Sequence, residues 1–324
     1  MDFKHQIALR IQEAERIFLI CHFAPDGDAL GSMLGLALAL QKINKLPSPA
    51  CQDPVPITYH YLHGADTVLS QPNSEYDLVV SLDCSDVRRM GTPYQTLSYR
   101  DDSIPLINID HHITNTNFGQ LNWVDTTAVA AAEIVLELLE IMNIPLDPDI
   151  ATCLLTGLVS DTRGFRTSNV SSKVMIAATK LMEAGANLAE ITNRVFSHRP
   201  LAAVLLWAKA LPEVCLESRI LWSVITQEMR EQSGYEHNGD AGLVSFMSDV
   251  NEADMAVVFT ERKNNEIDVS MRANQGWDVS QIALSLGGGG HPQAAGCTLK
   301  TSLHKAIDTV LPLLQEAWDK QANQ

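Results

Sequence analysis

The chain has 324 residues, enough for about two domains at roughly 150 residues each, and its 46% hydrophobic and 19% charged residues exclude a disordered or fibrous chain. Its 23 Lys and Arg against 39 Asp and Glu leave a formal charge of −16. That balance argues against a long nucleic acid held by counterion release and against an anionic membrane surface, so a polyanionic substrate needs local positive charge from a few arginines or from metal ions.

Residues 1–6 carry no basic segment leading into an apolar run, and the longest apolar stretch, 29–40, is too short to span a bilayer. The six cysteines lie far apart with no CxxC pair and read as reduced thiols, so a cytoplasmic location is expected. Residues 16–21 predict a buried strand, 29–43 a long helix, and 77–83 and 104–110 two further buried strands. Helices are predicted over 127–142, with Asp125 or Thr126 as N-cap, and from about residue 149 through 158. Continuous apolar strands separated by helices point to a parallel sheet covered on both faces. Residues 171–182, 188–196 and 201–209 predict a helical connector, and 219–226, 255–261 and 266–271 predict strands. A glycine-rich loop, 287–290, precedes a closing helix over 302–320. The expected architecture is a doubly wound, mainly parallel α/β domain over 1–185, a helical linker over 186–210, and a smaller α+β or α/β domain over 211–324.

Ligands of open α/β sheets bind beyond the carboxyl ends of the strands. The first strand runs into His22, Asp26 and Asp28, the second ends in Asp83, the third in Asp110, His111 and His112, and the helical stretch 154–160 ends in Asp161. Singly, each has an ordinary explanation. A lone Asp at a strand end is usually a turn former or helix cap, Asp28 suits the helix that follows it, and a His pair suits a polar loop. The coincidence of four such sites outweighs those readings. Clustered carboxylates raise one another's pKa values unless cations relieve them, and imidazole with carboxylate suits first-row metals such as manganese. The number of ligands favours two ions bridged by a carboxylate, a pair that activates water for in-line phosphoryl displacement. No Ser-His-Asp or Walker A signature is found, and Gly287 to His291 lacks the Lys-Ser/Thr ending of a triphosphate loop.

The ordered set His22-x-x-x-Asp26-x-Asp28, Asp83, Asp110-His111-His112 and Gly157-Leu158-Val159-Ser160-Asp161-Thr162 resembles the DHH phosphoesterase superfamily. Gly287-Gly288-Gly289-Gly290-His291-Pro292-Gln293-Ala294-Ala295-Gly296 resembles the signature of the DHH-associated C-terminal domain, so the resemblance spans nearly the whole chain. It implies two manganese ions, with magnesium or cobalt as alternatives. His22, Asp26 and Asp83 would hold one; Asp28, Asp83, His111 and Asp161 would hold the other, with Asp83 as bridge. His112 would face the scissile phosphate, and Asp110 would fix the histidine loop. Size and the single C-terminal domain resemble the NrnA-type branch, which hydrolyses short oligoribonucleotides and dephosphorylates 3′-phosphoadenosine 5′-phosphate. RecJ-like exonucleases carry additional nucleic-acid-binding domains, and the superfamily's inorganic pyrophosphatases lack the glycine-histidine loop.

In the second domain, Gly288, Gly289, Gly290 and His291 read as a cradle for a terminal phosphate, against the plainer reading of a flexible loop. Arg272 is a candidate phosphate fork or an ordinary surface arginine. Arg163 and Arg166 either reach the substrate or pack locally. The expected activity is a manganese-dependent phosphodiesterase that frees 5′-mononucleotides from short single-stranded RNA by two-metal activation of water. Dinucleotides and 3′-phosphoadenosine 5′-phosphate are further substrates, long duplexes and membranes are not partners, and a homodimer is compatible with the reading. The alternatives are a phosphodiesterase of cyclic or linear dinucleotide signals and a nucleotide-binding module without turnover.

Overall fold

The computed structural model describes residues 2–100, 103–197, 200–263 and 265–322. The chain divides into two compact units, residues 1–198 and 199–324. The first contains α1 (Phe3–Glu13), β1 (Arg16–Ile20), α2 (Gly27–Lys42), β2 (Leu46–Ala50), β3 (Leu78–Leu82), α3 (Gly91–Arg100), β4 (Leu106–Asp110), β5 (Leu121–Val124), α4 (Ala131–Ile141), α5 (Pro148–Asp161), α6 (Ser172–Glu183) and α7 (Leu188–Thr192). Its five strands lie in the order β2-β1-β3-β4-β5, and every pairing is parallel.

All five residues of β3 and of β4 are buried, as the continuous apolar runs require of strands covered on both faces. On one face Ile17, Leu19 and Cys21 pack with α1, α2, α4 and α5; on the other Phe18 and Ile20 pack with Tyr76, Val79, Met90 and Leu97. The sheet is therefore doubly wound, as its sequence pattern predicts. From β1 the chain moves outward to β2 and then returns to β3 on the opposite side of β1. That reversal opens a crevice at the carboxyl ends of β1 and β3. Two edge strands escape the apolar-run criterion. Strand β2 carries Pro47 and Pro49, tolerated because an edge strand needs fewer backbone donors, and β5 is only four residues long.

One helix start differs from expectation. Helix α4 begins at Ala131 rather than residue 127, because Asp125 closes a local turn by accepting from Thr127 N at 3.0 Å and Thr127 Oγ1 at 2.6 Å. Its N-cap position, Ala130, offers no side-chain acceptor. Asp28 supplies one from α2, accepting from Ala131 N at 2.5 Å and Ala132 N at 2.9 Å. Asp28 is thus not the cap of its own helix. Asp26 fills that role, accepting from the N–H groups of Asp28 and Ala29, each at 3.0 Å.

Small residues let α2 and α5 come close enough for this exchange. A Cβ at Gly31 would stand 2.4 Å from the Cys153 carbonyl oxygen, and one at Gly157 would stand 2.6 Å from Asp28 Oδ1.

The second unit contains α8 (Leu201–Ala210), β6 (Cys215–Glu217), β7 (Ile220–Ile225), α9 (Gln227–Ser233), α10 (Leu243–Met247), β8 (Met255–Arg262), β9 (Glu266–Ala273), α11 (Ser280–Ser285), β10 (Gly289–His291), β11 (Ala294–Lys300) and α12 (Leu303–Ala322). Its sheet runs β10-β11-β9-β8-β7-β6, antiparallel except for the β7–β8 pair. Alternate residues of β8 feed two cores. Val257 and Phe259 pack with Ala306, Val310 and Leu314 of α12, while Ala256 and Val258 pack with Leu206, Leu243 and Met247. Gly289, Gly290 and His291, expected in a loop, form the edge strand β10. Among the described residues no helix is long and apolar enough to cross a membrane.

The close contact between α2 and α5 makes a signed prediction. On helix propensity alone a Gly-to-Ala change inside a helix gains about 1 kcal/mol. Gly31→Ala is expected instead to lose about 2 kcal/mol, because the methyl meets backbone that cannot rotate away. Gly35→Ala should lose less, since its nearest contact is the movable Leu154 side chain at 2.7 Å. Urea denaturation of both variants checks the order.

Candidate functional site

Four elements converge at the carboxyl edge of the first sheet. Strand β1 delivers His22, and the chain then turns through Ala24, at a φ of 52°, to place Asp26 and Asp28 at the start of α2. Asp83 follows β3 directly and holds a φ of 57°, a left-handed conformation that costs a non-glycine residue free energy. Strand β4 ends on Asp110, so His111 and His112 emerge at the same edge, and Asp161 is the last residue of α5.

His22 Nε2 faces Asp83 Oδ2 at 3.4 Å and Asp26 Oδ2 at 4.0 Å. His111 Nε2 faces Asp161 Oδ2 at 3.2 Å, Asp83 Oδ1 at 3.4 Å and Asp28 Oδ2 at 3.7 Å. The opposite ring nitrogens lie against backbone carbonyls, His22 Nδ1 at 2.8 Å from Phe23 O and His111 Nδ1 at 3.3 Å from Ala128 O. A carbonyl accepts only from an N–H, so each ring carries its proton on Nδ1 and aims Nε2 at carboxylates. Such a carbonyl anchor behind an outward Nε2 is the usual support of a metal-binding histidine.

The electrostatics call for a cation. Burial and the charges of Asp83 and Asp161 push the Asp28 carboxyl well above the ordinary range, and burial likewise raises Asp161. Burial disfavours charge on His111, yet the Asp83, Asp161 and Asp28 carboxylates around it raise its pKa well above the usual imidazole value. Burial would also raise Asp83, but the facing imidazoles of His111 and His22 hold it well below the carboxylate range. Each shift reflects carboxylates crowded together with too little positive charge, a deficit that a cation would meet. Asp83 Oδ1 is nevertheless buried with no hydrogen bond, an acceptor left for another partner. The ligand atoms of His22, Asp26 and Asp83 lie within 4.8 Å of one another, as do those of Asp28, His111 and Asp161. Mixed nitrogen and oxygen donors at this spacing fit divalent metal ions.

His112 is held differently. Its Nδ1 lies 2.7 Å from Asp110 Oδ1, and Asn115 Nδ2 donates to the other Asp110 oxygen at 2.5 Å. Asn115 also donates to Cys84 O at 3.0 Å and accepts from Asn108 Nδ2 at 3.1 Å, which ties the histidine loop to the strand edge. Burial opposes ionisation of Asp110, but the His112 charge keeps its pKa below the usual value. With both oxygens engaged, Asp110 orients His112 and fixes its Nδ1 proton.

Some contributors carried no motif. Asn115 lies in a polar turn with no periodicity, and Tyr59, close to Asp26 and Asp161, lies in a short 3-10 turn. Phe23 and Arg89, which stack beside His22, were also silent. Arg163 and Arg166 sit in the turn after α5, where Arg163 N donates to Ser160 O at 3.1 Å and Arg166 N to Thr162 O at 2.8 Å.

In the second unit the glycine run is partly committed to structure. Gly287 N–H donates to Leu284 O at 3.0 Å and Gly288 N–H to Ala283 O at 2.8 Å, so these two close α11 instead of converging on an anion. A Cβ at Gly288 would fall 2.1 Å from Gly296 O, which is why glycine is needed there. Gly289 and Gly290 continue into β10 and pair with Gly296 and Ala295. His291 pairs with Ala294, and Ala294 pairs with Arg272. Directly opposed residues of antiparallel strands share a face, so His291 and Arg272 flank the small Ala294 on one face of the sheet. Arg272 Nη1 also donates to Met271 O at 2.9 Å.

Comparison with known proteins places this geometry. The N-terminal domain of the DHH family matches residues 16–158, and the DHHA1 domain matches residues 223–319. The chain is 34% identical over 309 residues to the bifunctional oligoribonuclease and PAP phosphatase NrnA of Thermus thermophilus, covering 93% of this chain and 89% of that one. It is 27% identical over 303 residues to the protein of the same description from Bacillus subtilis, covering 91% and 93%. The crystal structure of an exopolyphosphatase-related protein from Bacteroides fragilis superposes with a TM-score of 0.87 at 20% identity, covering 99% and 98%. With two sets of donors at one sheet edge and both family domains in sequence order, the chain belongs to the DHH family and is a hydrolase of phosphoric esters.

Proposed function

We propose that this protein hydrolyses short oligoribonucleotides to 5′-mononucleotides and removes a phosphate from 3′-phosphoadenosine 5′-phosphate, using two manganese ions. The observation that carries the reading is the placement of Asp83 between His22 and His111, which joins both groups of donors through one carboxylate. The two activities named for the Thermus relative support the choice of substrates. His22, Asp26 and Asp83 would hold one ion, and Asp28, Asp83, His111 and Asp161 the other. Manganese suits donors that mix imidazole with carboxylate.

When bound, such ions lower the pKa of water and stabilise charge on a phosphoryl group. The chain's own residues supply the rest. The carbonyls of Phe23 and Ala128 fix the rings of His22 and His111, so little reorganisation accompanies reaction. His112 presents Nε2 to the scissile phosphate, and Asp110 holds its ring in place as charge builds on the leaving oxygen. In the second unit, His291 and Arg272 bind a terminal phosphate, with Gly289 and Gly290 allowing close approach of backbone. Arg163 and Arg166 add positive charge after Asp161. A formal charge of −16 leaves no basic track, so long duplexes stay outside the substrate range. Six free cysteines suit a reducing cytoplasm.

Asp83→Ala is expected to abolish hydrolysis of a diadenylate and of 3′-phosphoadenosine 5′-phosphate in manganese-containing buffer, and substantial residual turnover would refute the shared-carboxylate reading. Asp110→Asn should lower kcat by about 10- to 100-fold, the usual effect of removing an outer hydrogen-bond partner, while metal content measured by elemental analysis stays that of wild type. His291→Ala should raise KM for nucleotides more than for a small generic phosphodiester; equal loss on both would count against its binding role. A panel of 2- to 20-residue RNAs, linear and cyclic dinucleotides and the bisphosphate tests the substrate range. Faster turnover of the cyclic compounds would assign the protein to signal degradation instead.

A further inference from the structure

Arg89 stands beside the candidate site and has no part in the roles described so far. It lies in the 3-10 turn Val87–Met90 that follows Asp83. Its carbonyl accepts from Phe23 N at 2.9 Å, and its guanidinium lies over the Phe23 ring, 5.4 Å from the centroid. Phe23 follows His22 in the chain, and its own carbonyl anchors the His22 ring at 2.8 Å. These contacts set Arg89 on the His22 side of the cluster.

Its neighbour shows what a structural arginine looks like here. Arg88 is exposed and forms a two-pronged pair with Asp86, Nε to Oδ1 at 2.8 Å and Nη2 to Oδ2 at 3.1 Å. Arg89 is half-buried, and no carboxylate of a described residue lies within ion-pair distance of it. An arginine usually leaves water with an anion as partner. Here the aromatic face supports the cation from one side and leaves its planar fork of N–H donors for an external acceptor.

The charge balance identifies that acceptor. Five aspartates, Asp26, Asp28, Asp83, Asp110 and Asp161, make up the cluster. Two divalent ions bring four positive charges, leaving about one negative charge before a phosphate adds more. We infer that Arg89, steadied by Phe23, binds a non-bridging oxygen of the substrate phosphate on the His22 side of the cluster. The inference rests on the phosphoesterase reading of the site and adds a substrate-binding residue and a positioning residue to it.

The test is calorimetric titration of inorganic phosphate into the manganese-loaded protein, with metal content and thermal midpoint measured on each variant. Arg89→Met should weaken phosphate binding by at least tenfold with metal content unchanged, and Arg89→Lys should recover part of the loss. Phe23→Leu keeps the apolar bulk but removes the π face, so it should weaken binding about threefold to fivefold. In the Arg89→Met background it should add nothing, since it acts through the arginine. Wild-type phosphate affinity in metal-loaded Arg89→Met would overturn the inference, as would loss of metal from that variant. If the arginine variants fail to fold, Phe23→Leu alone decides the matter, and unchanged affinity sinks the proposal. Failure of the wild-type protein to cleave either nucleotide substrate would defeat the proposed function while leaving this binding measurement interpretable.

Discussion

Asp83 meets imidazole on both sides of its carboxylate: His22 Nε2 lies 3.4 Å from one oxygen, and His111 Nε2 and His112 Nδ1 each lie 3.4 Å from the other. The residue is 2% exposed. A carboxylate this deeply buried is tolerable only where positive charge compensates the lost hydration. Three features of the fold follow from that requirement. The sheet places β1 and β4 on either side of β3, so the histidines after those strands reach Asp83 from opposite directions. The left-handed backbone at Asp83 aims its side chain back over the strand ends instead of letting the chain continue β3. The anchors behind His22 and His111 are backbone carbonyls, whose positions are set by the loops themselves.

Asp28 shows how the same fold distributes negative charge. Two backbone N–H groups at the start of α4 receive its carboxylate, where the helix dipole favours an anion. Burial and neighbouring carboxylates raise its pKa even so, which means that the dipole offsets only part of the cost. The remaining charge has to be met by protons or by metal. Packing is recruited to this end: Gly157 has no Cβ because one would collide with Asp28 Oδ1, so the α2–α5 contact and the electrostatics of the site depend on one another.

Much of this was legible in the sequence, for identifiable reasons. Strands buried on both faces read as unbroken apolar runs, and chemistry concentrated at their carboxyl ends, so β1, β3 and β4 and the donors His22, Asp26, Asp28, Asp83, His111 and Asp161 stood out together. What stayed hidden depends on tertiary contact. The start of α4 was misplaced because its cap comes from Asp28, 103 residues away in sequence, while Asp125 imitates a local cap. Strand β2 was masked by its prolines. Asn115 acts through a small network of hydrogen bonds, and Tyr59 by its place near Asp26 and Asp161; both lie in irregular backbone, which no periodicity announces. The glycine run reads in the sequence as a loop whose N–H groups converge on a phosphate, and nothing in it announces the helix end and edge strand that it also forms. Gly287 and Gly288 close a helix, and only the register of β10, β11 and β9 reveals that His291 and Arg272 share a face.

The acidity of the chain takes on a different meaning at this site. A charge of −16 spread over a surface repels phosphate at long range, but salt screens that repulsion within about 10 Å at ordinary ionic strength. At the sheet edge the aspartates stand among imidazoles within a few ångströms, where screening is weak and the identity of the bound cation sets the local sign. Without cations the five aspartates leave the cluster negative, and it repels a phosphodiester. Divalent ions held by these donors would offset most of that charge at the sheet edge itself. On the proposed reading, a short phosphate entering this screened pocket would meet the cations and not the distant surface charge, which is how so acidic a chain would serve an anionic substrate.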